Sequence, residues 1–268
     1  MKIKVACFQM DIAFGQESIN IEKALEAIDI LYTRETGIHF LSFPELVGTG
    51  FDYGYLTSLS LSDIERSFEK IIHAFSKKAK EYNVYIQCGS IVEACEGKVY
   101  NSAPLIDPAG TLLGTYHKNH LFPLMNEGDF FSPGDTPHVF TTHYGKIGIA
   151  ICFDVRFPDL FRDLALGGAE IVFVPAQFPV ARINHWDILL RARAIENQYF
   201  IAGTNRVGKD TDNIYPGHTM LLDPVGEEIG QRLENKPESW VVGTCDLDAI
   251  TLTRKGLPSF CFSDKRME

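Results

Sequence analysis

The sequence predicts a mixed α/β protein, in an α/β or layered α-β-α arrangement. Three observations predict it. Short β-branched and apolar runs recur along the chain, amphipathic stretches at helical spacing lie between them, and two Asp-Pro-x-Gly turns each join strand-like segments. Strands alternating with long helices are the pattern of layered α/β architectures.

Ile3 to Met10 reads as a buried strand, and Ile21, Leu25, Ile28 and Leu31 follow at helical spacing. Ile38 to Phe43 is a second short strand. Ser62 and Glu65 have the spacing of a capping box, in which each side chain satisfies the other's backbone donor. Behind them Ile64, Phe68, Ile71, Ile72, Phe75 and Ala79 make one apolar helical stripe, and strand-like runs occupy 84–92, 98–106 and 111–115. In the second half Lys146 to Ile151 is a buried strand. Pro158 suits the first turn of a helix over 159–166, because that position has no hydrogen bond to lose, and Gly167-Gly168 stops it. Ile171 to Val174 is a strand, and residues 184–198 form a helix in which Leu189, Leu190 and Ile195 are packing positions. Strands follow near 199–204, 218–222, 227–231 and 240–246. The echo between Leu105-Ile106-Asp107-Pro108-Ala109-Gly110 and Leu221-Leu222-Asp223-Pro224-Val225-Gly226 is open to two readings. It is either a common turn or the trace of two similar halves, each contributing one sheet.

Composition bounds the function. The chain has 268 residues, 45% of them hydrophobic and 12% aromatic, which excludes a disordered segment. No linker-like stretch divides it, so one domain over 1–268 is expected. A net charge of −10 with no basic block argues against nucleic-acid binding, which needs clustered Lys and Arg. The most apolar run, Ile147 to Phe153, is far short of the roughly 20 residues that span a bilayer. Asp11 ends the first apolar stretch too early for a signal-peptide core. The six cysteines (Cys7, Cys88, Cys95, Cys152, Cys245 and Cys261) form no CxxC pair and lie in mostly apolar contexts. That pattern argues for reduced thiols in a cytoplasmic protein and against a zinc cluster.

Three segments are more polar than their surroundings explain. In Phe43-Pro44-Glu45-Leu46 a carboxylate stands at a strand end, where partial desolvation would tune it as a base. In Tyr116-His117-Lys118-Asn119-His120 a lysine is flanked by histidines and aromatics, and its ammonium could face a reacting carbonyl. In Ile151-Cys152-Phe153-Asp154-Val155-Arg156-Phe157-Pro158 a buried strand delivers a cysteine to a strand-to-helix junction, beside backbone N–H groups suited to an oxyanion. Taken singly, each also fits a surface glutamate, a solvated lysine or a core cysteine. A papain-like dyad lacks a recognisable histidine context at His185 or His218, and no GxxxxGK[ST] or GxGxxG phosphate loop occurs.

Taken together, FPEL, YHKNHLF and ICFDVRFP, in this order and over nearly the whole chain, resemble the nitrilase (carbon–nitrogen hydrolase) superfamily. The resemblance implies a four-layer α-β-β-α sandwich of two face-to-face sheets, and amide or nitrile hydrolysis by a Glu45–Lys118–Cys152 triad. It implies that Glu127 helps to hold the lysine and that the N–H of Phe153 joins Lys118 around the oxyanion. No metal or organic cofactor is implied, and helices such as 184–198 are expected to pair across a homodimer or higher homo-oligomer. Phe178 to Trp186, Leu189 to Gln198 and Asn205-Arg206-Val207-Gly208 look like the ω-amidase branch. Its members cleave the terminal amide of a short dicarboxylic acid monoamide, of the 2-oxoglutaramate or 2-oxosuccinamate type. Deaminated-glutathione, nitrile and N-carbamoyl hydrolysis are the neighbouring alternatives, and a non-catalytic binding member is a distant one. The substrate of that branch carries a carboxylate, for which Arg182 is the favoured partner; Arg156 is the second candidate and is equally open to a structural pairing with Asp154 or Glu127.

Overall fold

In a computed structural model, which describes residues 1–260, alternating side chains sort the first strand between two cores. Ile3, Val5 and Cys7 face one apolar cluster, while Ala6 and Phe8 face another. A period of two does this because successive strand side chains point to opposite faces. The elements in chain order are β1 (Lys2–Gln9), α1 (Glu17–Tyr32), β2 (Phe40–Ser42), α2 (Tyr53–Ser58), α3 (Leu61–Tyr82), β3 (Tyr85–Gln87), β4 (Ile91–Cys95), β5 (Lys98–Ile106) and β6 (Leu112–His117). They continue with β7 (Val139–Thr142), β8 (Gly145–Ile149), α4 (Pro158–Leu166), β9 (Ile171–Ala176), α5 (Ile183–Asn197), β10 (Phe200–Asn205), β11 (Val207–Lys209) and β12 (Ile214–Pro216). The last are β13 (Met220–Leu222), β14 (Gln231–Arg232), β15 (Ser239–Asp246) and α6 (Asp248–Gly256).

Among the described residues the strands form an eight-stranded sheet in the order β14-β15-β1-β2-β3-β5-β4, with β6 also on β5. A five-stranded sheet has the order β13-β10-β9-β8-β7, and β11 and β12 form a small ribbon. The two larger sheets face each other. Ile3, Val5, Phe40, Tyr85 and Leu105 of the first pack against Phe140, Ile147, Ile171, Phe173 and Phe200 of the second. The Ser42 hydroxyl meets that of Thr204 across the gap at 2.8 Å. The outer face of the first sheet is covered by α1, through Ile21, Ala24 and Ile28, and by α3, through Ile71, Phe75 and Ala79. The outer face of the second is covered by α4 and α5, through Leu160, Phe161, Leu164, Trp186 and Leu190. The result is the expected α-β-β-α layering. Each large apolar side chain contributes about 1.5–3 kcal/mol on burial, several times what helix propensity offers, so the stripes set which face turns inward.

Several local expectations change. The capping box of α3 is Ser60 with Asp63, not Ser62 with Glu65. Both pairs have the spacing, but the Ser60 Oγ accepts from the Asp63 N–H and Asp63 Oδ2 accepts from the Ser60 N–H, which starts the helix earlier. The 84–92 run breaks into β3 and β4 at Gly89, where φ is +71° and a Cβ would lie 2.0 Å from the Pro44 carbonyl oxygen. In place of a strand over 227–231 there is an isolated bridge from Leu222 to Glu228 and then β14. Ile195 is half-exposed rather than packed, whereas Leu190 is buried.

The two Asp-Pro-x-Gly turns are the same structure. In each, the aspartate oxygen accepts two N–H groups of its own turn, from Ala109 and Thr111 on Asp107 and from Val225 and Glu227 on Asp223. The halves do not each contribute one sheet, however. After the second turn β14 and β15 return to the first sheet, where β15 pairs antiparallel with β1 along its whole length. β1 is thus an interior strand of that sheet, with β2 parallel on one side and β15 antiparallel on the other.

The five cysteines of the described residues are free thiols, and Cys261 lies outside the described residues. Burial pushes the Cys7 thiol up to about 12, against a hydrogen bond with Thr204 that lowers it, and raises Cys88 and Cys245 as well. These thiols keep their protons in the folded chain after the unfolded chain loses them. Their stabilising share is therefore complete below pH 9 and is lost as pH rises towards the folded values. Denaturant unfolding between pH 8 and 10.5 should show stability falling by about 1.4 kcal/mol per pH unit for each such thiol above pH 9. Cys88→Ala should make that slope shallower by one thiol's share. A slope that ignores Cys88→Ala would contradict the assignment.

Candidate active site

The site forms where the C-terminal ends of parallel strands in both sheets converge. β2 runs parallel to β1 and β3, and Glu45 follows it in a turn. That turn is fastened to the β3–β4 connection by Ser90, whose Oγ accepts the Leu46 N–H at 2.8 Å and whose carbonyl accepts the Val47 N–H at 2.9 Å. The close approach that requires glycine at 89 is part of the same fastening. Lys118 stands directly after β6, its N–H on the Asn101 carbonyl of β5 at 2.9 Å. Cys152 follows β8, which lies parallel to β9, and opens a short 3-10 turn over Cys152–Arg156. Its φ of +46° is a left-handed conformation that a residue with a side chain seldom adopts. The chain reverses sharply there and presents the thiol at the strand end, as the sequence predicted.

The charged groups meet in the interior. Glu45 is 0% exposed, Lys118 1% and Glu127 1%. The Lys118 ammonium donates to Glu45 Oε1 and to Glu127 Oε1, each at 2.7 Å, and lies 5.8 Å from the Phe51 ring centre. Glu45 Oε1 also accepts from Asn101 Nδ2 at 3.0 Å, and its Oε2 from the Gln177 N–H at 3.0 Å. Glu127 Oε2 accepts the Phe122 N–H at 2.9 Å. Burial alone would discharge the lysine, but Glu127 and Glu45 outweigh it and hold its pKa well above the ordinary value. Burial raises the Glu127 carboxyl, and Glu45 adds to that against the pull of Lys118.

Cys152 is the thiol of this cluster. Burial first, and then the negative charge and hydrogen bond of Glu45, raise it well above its ordinary value, with Lys118 opposing. On balance these influences disfavour a preformed thiolate beside the Glu45 carboxylate. A thiol, a carboxylate that accepts from it and an ammonium sharing that carboxylate are the components of nucleophilic attack on a carbonyl.

A cleft opens over Cys152, lined by Phe51, Phe122, Phe153, Gln177, Arg156 and Arg182. Sequence left Arg156 open to pairing with Asp154 or Glu127, and it pairs with neither. Its guanidinium lies 3.3 Å from His185 Nδ1 and packs near the Phe153 and Phe178 rings. Arg182, in the turn between β9 and α5, lies over the Phe122 ring at 5.4 Å. Among the described residues, neither arginine has a carboxylate within salt-bridge distance. No group of three or more His, Cys, Asp or Glu side chains among the described residues could hold a metal ion.

Several residues of the site escaped sequence reading. Asp154 is fully buried and accepts from Tyr116, His120 and the Ile151 N–H. Gln177 Nε2 donates to the Glu45 carbonyl at 2.7 Å, and its Oε1 accepts from the buried Arg206 at 2.8 Å. Their only signal is a polar residue within or beside an apolar run, as with Asn101 in KVYNSAPLI.

The profile described as carbon–nitrogen hydrolase matches residues 4–255. The chain is 35% identical over 260 residues to the 2-oxoglutaramate amidase of Bacillus subtilis (strain 168), covering 97% of each chain. It is 30% identical over 266 residues to the omega-amidase NIT2 of Homo sapiens, covering 96% of this chain and 93% of that one. Among solved structures it is similar to a CN-hydrolase superfamily protein of Xanthomonas campestris with an arsenic adduct in its active site. The TM-score is 0.86 at 25% identity, covering 98% of each chain. It is also similar to Saccharomyces cerevisiae Nit3, with a TM-score of 0.85 at 24% identity, covering 99% of this chain and 97% of that one.

Proposed function

We infer a substrate and a mechanism for a chain that belongs to the carbon–nitrogen hydrolase family and acts on amides. The substrate is the terminal amide of a short acid that carries a carboxylate at its other end, hydrolysed to a dicarboxylate and ammonia. One observation carries this reading. The cleft that exposes Cys152 to a buried Glu45–Lys118 pair is also lined by two arginines that no carboxylate among the described residues neutralises. The similarity to a 2-oxoglutaramate amidase and to an omega-amidase supports the same class.

Glu45 takes the thiol proton as the Cys152 sulfur attacks the amide carbon. The raised thiol pKa makes this coupling necessary, because little thiolate stands ready at neutral pH. The oxyanion that forms is faced by the Lys118 ammonium and by the N–H of Phe153, in the first turn after Cys152, where helical donors have no partner within the turn. One such donor contributes about 3 kcal/mol in comparable sites. Glu45 returns the proton to the nitrogen, ammonia leaves, and a Cys152 thioester remains. Glu45 then draws a proton from water, whose oxygen adds to the thioester carbon. The carboxylate product departs and the thiol is restored. Glu127 holds the other side of Lys118, so the ammonium stays charged and fixed between two carboxylates.

Arg182 is the clamp for the distant carboxylate, with Arg156 beside it. Loss of a charge-assisted contact of this kind should weaken transition-state binding by roughly 1.5–3 kcal/mol. Arg182→Ala should therefore lower kcat/KM for an ω-amide bearing the carboxylate far more than for a matched amide without it. Equal losses on both would mean that Arg182 supports its loop and reads no carboxylate. Ammonia release from a panel of ω-amides, nitriles and N-carbamoyl amino acids tests the class itself. Turnover confined to nitriles or carbamoyl compounds would overturn it.

A further inference from the structure

Cys152 and Lys118 arrive on different sheets, their side chains share Glu45, and a second link joins their backbone segments. Asp154 supplies that link. It is 0% exposed, and both its oxygens are fully engaged. Oδ2 accepts the Ile151 N–H at 2.9 Å, immediately before the nucleophile, and the Tyr116 hydroxyl at 2.8 Å, two residues before the lysine. Oδ1 accepts the His120 N–H at 2.9 Å and lies 2.7 Å from His120 Nδ1, two residues after the lysine. The Tyr116 oxygen in turn accepts the Asn119 N–H at 3.2 Å. One carboxylate thus grips the lysine segment on both flanks and the cysteine turn at its entry.

We propose that Asp154, with His120 and Tyr116, is a positioning unit that holds the Cys152 turn in register with Lys118. The left-handed backbone at Cys152 is a conformation that surrounding structure must enforce, and the Ile151 N–H bond to Asp154 is placed to enforce it. His120 completes the grip from outside. Its ring stacks on Phe157 with centroids 3.5 Å apart, and Phe157 closes the same turn by donating its N–H to the Asp154 carbonyl at 2.9 Å. His120 lines no part of the cleft over Cys152, so its effect on chemistry runs through Asp154. The inference rests on Cys152 and Lys118 acting together as described under the proposed function.

The test compares His120→Ala with His120→Asn, whose amide nitrogen occupies about the place of Nδ1 and can still donate to Asp154. Two rates are measured: kcat on an ω-amide, and alkylation of Cys152 by iodoacetamide followed by intact mass. His120→Ala should lower both by roughly 10- to 100-fold with KM little changed, as a displaced reacting group does. His120→Asn should recover most of the loss, and Asp154→Asn should lose more than His120→Ala. Should Asp154→Asn fail to fold, the His120 pair decides. Wild-type rates in His120→Ala would overturn the proposal, and so would a His120→Asn no better than alanine or a loss carried wholly by KM. A wild-type protein that releases no ammonia from any amide would sink the proposed function instead, and the alkylation rates would still judge this one.

Discussion

Cys152→Ala is expected to abolish ammonia release, by roughly five orders of magnitude or more, while the chain folds as before. Removing the nucleophile of a hydrolase removes the covalent route and leaves only what binding and oxyanion donors can do for water. The fold should be indifferent for reasons particular to this position. The left-handed φ of Cys152 costs alanine about what it costs cysteine. The hydrogen bonds that shape the turn are made by Asp154, Ile151 and Phe157 and not by the thiol. One sulfur atom at the floor of an open cleft leaves a gap that water can fill, so the stability change should stay near 1 kcal/mol. Ammonia release measured beside a thermal melt decides it. A variant with a wild-type melt and substantial turnover would remove Cys152 from the chemistry, and with it the thioester.

What the sequence revealed of this site divides by the range of the interactions involved. Strand and helix faces were legible because period-two and period-3.6 patterns are local, and β1, α1, α3, β8 and β9 stand close to where those patterns put them. The capping box moved because Ser60–Asp63 and Ser62–Glu65 satisfy the same local rule, and the reciprocal hydrogen bonds form at the first pair. The short strands β7, β11 and β12, and the helices α2 and α6, were missed, since pieces this short draw their stability from partners elsewhere in the chain. Glu45, Lys118 and Cys152 were each ambiguous alone, separated by 73 residues for the first pair, and only their joint occurrence resembled a known family. The geometry brings them together with Glu127. Asp154, Asn101, Gln177 and Arg206 could not be assigned partners in advance, because a buried polar side chain does not show in the sequence which distant donor or acceptor satisfies it. Arg156 is the same case. Its neighbour His185 lies 29 residues on, and of the two readings open to it the pairing with Asp154 or Glu127 does not form.

Lys118→Met should cost both activity and stability, and the stability loss should depend on pH. Methionine keeps most of the volume but leaves Glu45 and Glu127 buried, each having lost a 2.7 Å contact with the shared ammonium. Removing one partner from a buried ion network is destabilising by about 3–5 kcal/mol, since the remaining charges cannot recover their hydration. Amide turnover should fall by at least about 100-fold with the loss of an oxyanion donor. The sign of the pH effect follows from Glu127. Burial and Glu45 already raise its folded pKa with the lysine present, and without the lysine the opposing pull disappears. A carboxyl raised in the folded state favours folding when protonated and disfavours it as pH climbs through the folded value. The deficit of Lys118→Met should therefore be largest near pH 8 and shrink towards pH 5, and adding Glu127→Gln should recover part of it at pH 8. Denaturant midpoints of the wild type and both variants at the two pH values measure this. A deficit that is independent of pH and untouched by Glu127→Gln would mean that Lys118 serves as buried packing, not as the charge that holds two carboxylates together.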